Sequence, residues 1–113
     1  MTSKTVLRAM ESELKKLVKK AETAKRKCDE TMSAASEIIE VRKKAHEILS
    51  GDLSADEKLK LIEPLAKREK RAFTNSKRNL VKLMDAQHEA EIERDELMRE
   101  ISSYKYRMNL SAA

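Results

Sequence analysis

The chain has little with which to interrupt a helix. It holds one glycine, one proline, no tryptophan and only Phe73, Tyr104 and Tyr106 as aromatics in 113 residues. So little turn-forming material leaves room for few turns. A single glycine excludes the Gly-rich loops that cradle phosphates, and three aromatics argue against a thick core. The lone Cys28 cannot close an internal disulfide, which fits a reducing compartment. No run approaches the roughly 18 uninterrupted apolar residues of a membrane span. Met1-Thr2-Ser3-Lys4 leads towards Lys15, Lys16, Lys19 and Lys20 without a signal-peptide core. These absences set the expectation of a cytoplasmic protein with no membrane partner.

Charged residues make up 40% of the chain and apolar residues another 40%. A composition rich in Ala, Glu, Lys, Leu and Arg belongs to long helices and coiled coils. High charge also suits disorder, but the apolar residues are regularly spaced. From Leu7 they fall at steps of three and four: Met10, Leu14, Leu17, Ala21, Ala24, Cys28, Ala35, Ile38, Ala45 and Leu49, with Thr31 and Arg42 as interruptions. That seam predicts one helix over about 3–50. Gly51 should close it in the left-handed conformation.

Ser54-Ala55-Asp56-Glu57 has the pattern of a capping box and should start a second helix. Pro64 inside a helix costs roughly 3 kcal/mol. It either kinks one helix or occupies the first turn of another. Residues 3–49 and 64–110 each span 47 positions, and this match favours a short helix over 54–62 followed by a long one over 64–110. The second seam reads Ala66, Phe73, Leu80, Leu83, Ala90, Leu97, Ile101, Tyr104 and Met108, with polar Glu69, Ser76, Gln87 and Arg94 between. Thr74-Asn75-Ser76 is its weak point, because these side chains compete for backbone bonds. The expected fold is all-α: a single domain over 1–113, built as a long antiparallel two-helix hairpin with a short connecting helix before Pro64.

Charge supports the pairing. Residues 85–113 carry seven acids against four bases, and Lys15, Lys16, Lys19 and Lys20 should face them. Residues 65–84 hold seven bases against Glu69 alone. With Arg42, Lys43 and Lys44 they are expected to form an unpaired basic patch near the turn. Met32, Ala34, Ile39, Val41, Ile48, Leu61, Leu65 and Ala72 broaden the apolar stripe there. Such a face must be covered by the short helix or by a partner.

No catalytic, cofactor or metal site is expected. Asp85 and His88 have the spacing of a helical metal half-site, but His46 has Lys43 where the matching carboxylate would stand. Cys28 sits on the apolar seam and reads as structural. The carboxylates over 89–100 read as a solvated helix face.

The expected function is therefore a non-catalytic protein–protein interaction module: an adaptor, small chaperone, assembly factor or inhibitor. Its anchors would be Ile39, Val41, Leu61 and Leu65, rimmed by Arg42, Lys43, Lys44, Lys67, Arg68, Lys70 and Arg71. An acidic partner fits that rim, and a homodimer would add core to a thin fold. The alternative is nucleic-acid binding through phosphates, suggested by a net charge of +5, although aromatics for base stacking are lacking.

Overall fold

The computed structural model describes residues 2–112; Met1 and Ala113, the ends of the expected 1–113 domain, lie outside the described residues. The protein is all-helical, with no strand among the described residues. Three helices follow in order: α1 over Ser3–Ser50, α2 over Ala55–Ser76 and α3 over Leu80–Ala112. None is long and apolar enough to cross a membrane among the described residues.

The α1 span agrees with the expected 3–50, but its closure differs. No positive φ occurs among the described residues, Gly51 included. Instead the Gly51 amide donates to the Ile48 carbonyl at 3.2 Å. Lys58 Nζ donates to the Leu49 carbonyl at 2.9 Å, satisfying an acceptor that the helix end leaves open. At the start of α2, Ser54 Oγ accepts from the Glu57 amide at 3.3 Å, as the capping pattern predicts.

Beyond that cap, the expected 54–62 and 64–110 division is corrected. Helix α2 runs through Pro64 without ending. Its proline is solvent-exposed, while the next residue, Leu65, is buried. Packing of Leu65 and Ala72 thus outweighs the local penalty of proline. The chain breaks instead after Thr74-Asn75-Ser76. Thr74 Oγ1 donates to the Lys70 carbonyl at 3.0 Å and Ser76 Oγ to the Phe73 carbonyl at 2.6 Å. The amides of Lys77 and Arg78 then bond three residues back, to Thr74 and Asn75. This tightened turn ends α2, and Asn79, a residue type favoured at helix starts, precedes α3.

The helices pack as two compact units, Met1–Arg26 with Val81–Ala113 and Lys27–Leu80. In the first, α1 and α3 run in opposite directions. Tyr104 Oη donates to the Ser3 carbonyl at 3.3 Å, Lys105 pairs with Glu11 at 3.6 Å and Lys20 with Glu93 at 3.3 Å. Ala21, Ala90 and Ile101 are buried. Leu7, Met10, Leu14 and Leu17 on α1, and Leu83, Leu97, Tyr104 and Met108 on α3, are half-buried. Both seams here match the heptad reading. Among the described residues, Lys20 alone of the four expected lysines pairs with the acidic helix.

In the Lys27–Leu80 unit, α1 and α2 also run antiparallel. Arg78 pairs with Glu30 at 3.4 Å, Arg68 with Glu37 at 2.7 Å and Arg42 with Glu69 at 2.9 Å. The core consists of Cys28, Ala34, Val41, Leu65, Ala72 and Asn75. From Ala34 onward one row of the α1 seam lies one residue ahead of the heptad reading, while Ile38 and Ala45 stay half-buried where expected. Ala35, Arg42 and Leu49 give way to Ala34, Val41 and Ile48; Ala66, Phe73 and Ser76 give way to Leu65, Ala72 and Asn75. Apart from Val41 and Leu65 the buried apolar side chains here are small.

Candidate functional site

The one-residue shift decides what the Lys27–Leu80 unit offers to solvent. With residues advancing about 100° around a helix, the displaced apolar positions turn onto one flank. Met32, Ala35, Ile39 and Leu49 line it from α1, and Leu59, Ile62, Ala66 and Phe73 from α2. Ile39 is 69% exposed, Leu59 67%, Met32 58% and Phe73 51%. The Arg42–Glu69 pair crosses this flank. Lys77 Nζ sits 4.4 Å from the centre of the Phe73 ring, a cation–π contact. Lys43 and Lys70, neither in an ion pair among the described residues, edge the flank on either side.

The opposite flank is polar. It is an open groove of about 300 Å³ lined by Glu30, Ser33, Glu37, Arg68, Arg71 and Asn75, with Ala34 and Ala72 as its floor. Two alanines facing each other across the seam leave the space that larger side chains would fill. Arg68 closes on Glu37 through both Nε and Nη2, and Arg78 reaches Glu30.

The expected contact residues divide under this geometry. Ile39 and Leu61 are exposed. Val41 and Leu65 are core residues, 1% and 8% exposed. Four residues of the expected unpaired basic patch have an ion-pair partner. Arg42 pairs with Glu69, Lys44 with Glu40, Lys67 with Glu63 and Arg68 with Glu37. Two of these pairs cross between the helices, Arg42–Glu69 and Arg68–Glu37, and the other two each lie within one helix. Lys43, Lys70 and Arg71 keep no ion pair among the described residues. Glu40 is held below the usual carboxylate range, first by the hydrogen bond from Lys44 and then by that lysine's charge, with Arg68 adding to it.

Sequence reasoning did not find the groove or Asn75 as a lining residue. The signal was present in Ala34 and Ala72, small residues on facing helices, but it required the correct seam to be read. Phe73 was assigned to the core and lies outside it. His46 and His88 are exposed, and no cluster of three metal-ligating side chains occurs among the described residues. Cys28 is buried and free. No known protein family, curated protein or solved structure gives a significant match to this chain.

Proposed function

We propose that this chain is a non-catalytic protein–protein interaction module, an adaptor, small chaperone, assembly factor or inhibitor, whose helices form the antiparallel hairpin expected from its seams. The observation that carries this reading is the open apolar flank of the Lys27–Leu80 unit, where Ile39 and Phe73 remain more than half exposed. Apolar side chains grouped on one flank cost little only when something covers them. The occupant that suits the flank is an amphipathic helix of another protein, its apolar stripe against Met32, Ile39, Leu59 and Phe73. Acidic residues on that helix would face Lys43, Lys70 and Lys77, which steer encounter more than they add affinity. A reducing, cytoplasmic setting is consistent with the single buried thiol.

The test is a photo-crosslinking amino acid placed at Ile39 or, as control, at Ser33 on the polar flank, in cells of the native host. A discrete adduct from Ile39, absent from Ser33 and lost on Phe73→Ser, is the expected result. Equal adducts from both positions, or none from Ile39, would overturn the reading. An adduct of twice the chain mass would replace the foreign helix with a second copy. Phosphate-driven nucleic-acid binding is the weaker reading, because Arg68 and Arg78 of the basic cluster already pair with carboxylates on α1.

A further inference from the structure

We propose that the polar groove between α1 and α2 binds a single carboxylate, with Arg71 and Asn75 as its donors. The site lies on the flank opposite the apolar one and does not depend on the reading above.

Asn75 is the only buried polar side chain among the described residues, at 7% exposed. Its side-chain amide makes no hydrogen bond among the described residues, yet neither of its polar atoms is sealed from the groove it lines. The accessible side of the amide therefore faces a space able to hold a partner from outside. Arg71 stands one helical turn earlier on the same wall. It makes no ion pair among the described residues. The other charges are already answered: Glu37 by Arg68 at 2.7 Å and Glu30 by Arg78 at 3.4 Å. Ser33 Oγ is turned to the Glu30 carbonyl at 3.5 Å. Arg71 therefore supplies the one charge in the groove that nothing balances.

A guanidinium fork beside an amide N–H suits a planar anion with two oxygens. The nearby carboxylates of Glu30 and Glu37 oppose a second negative charge, which favours a carboxylate over a phosphate dianion. The methyl groups of Ala34 and Ala72 make a floor wide enough for a short aliphatic stem. The carboxylate belongs either to an acidic side chain of a peptide or to a free small molecule; the chemistry is the same.

The full-length chain, labelled with ¹⁵N, is titrated at constant ionic strength with sodium acetate, with an N-acetylated Ala-Glu-Ala amide and with inorganic phosphate. The Arg71 Nε–H and Asn75 side-chain amide signals are followed. Saturable shifts with acetate and peptide are expected, abolished by Arg71→Gln and weakened about tenfold by Asn75→Ala, the loss of one charge-assisted hydrogen bond. A peptide saturating well below acetate identifies a protein side chain as the source; equal saturation identifies a free carboxylate. Linear shifts, unchanged shifts in Arg71→Gln, or tighter binding of phosphate than of acetate would overturn the proposal. Arg71 is exposed, so its variant keeps the test valid even where Asn75→Ala perturbs the helix end.

Discussion

Arg68 on α2 holds Glu37 on α1 with two hydrogen bonds to one carboxylate oxygen, from Nη2 at 2.7 Å and from Nε at 2.9 Å. Both side chains are partly sheltered, and the contact spans 31 residues of sequence. It ties the two helices together more specifically than apolar contact alone, since both hydrogen bonds need a defined geometry.

A double-mutant cycle on Arg68→Ala and Glu37→Ala should therefore give a coupling energy near 1 kcal/mol. The fully exposed Lys67–Glu63 pair, at 3.9 Å, should give less than about 0.5 kcal/mol. Urea unfolding of the four chains in each cycle measures the difference. Raised salt should shrink the second coupling more than the first.

The shifted seam makes a second prediction. Val41→Ala removes two buried methyl groups and should cost about 2 kcal/mol. Leu49→Ala, at a position 58% exposed, should cost less than about 0.5 kcal/mol. The heptad extrapolated from Leu7 would reverse that order. Thermal unfolding of the two variants distinguishes the registers.

How far this seam was legible depends on the helix. On α3, Leu83, Ala90, Leu97 and Ile101 fall where period and residue type agree, so the reading from sequence holds. On α1 the polar Arg42 at an expected seam position signalled an error of phase, and moving one residue back recovers Val41. On α2 no such signal exists. The shift exchanges Glu69 and Ser76 for Arg68 and Asn75, equally polar, so pattern could not choose between them. Only contact with α1, where Glu37 and Ala34 meet Arg68 and Ala72, sets the phase. The groove followed from the same contact and was invisible without it. The turn after Ser76 was foreshadowed by three residues with competing side chains, but Pro64 offered a stronger local signal that tertiary packing overrode.

Pro64 gives the third prediction. It lies well inside α2, where its ring removes a donor from the ladder without ending the helix. Pro64→Ala should restore that bond and raise stability by about 1–3 kcal/mol, with helicity unchanged or slightly higher. Circular dichroism with urea unfolding checks both. A loss of stability would mean that α2 needs a bend at this position.

A fourth prediction concerns pH. Lys44 Nζ lies 2.9 Å from Glu40 Oε1, one turn apart on α1, and holds the Glu40 carboxyl low. A carboxyl with a lowered folded value stabilises the helix above its unfolded value, and that contribution disappears as pH falls through the folded one. Acidification below the ordinary glutamate range should therefore loosen α1 around Glu40. Glu40→Gln should flatten that part of the profile while leaving the remainder unchanged. Amide exchange across Glu40–Lys44 at stepped pH measures the effect.

The account rests on which side of α1 faces α2, and thiol accessibility reads this directly. In a Cys28→Ala background, at dilutions where light scattering gives the monomer mass, Ile39→Cys and Val41→Cys are each reacted with an aromatic disulfide reagent. The cysteine at 39 should react about as fast as a thiol in a short peptide, and the one at 41 at least about a hundredfold more slowly, limited by local opening of the pair. Equal rates at the two positions, or a protected cysteine at 39, would contradict the shifted seam and remove the open flank on which the interaction surface depends.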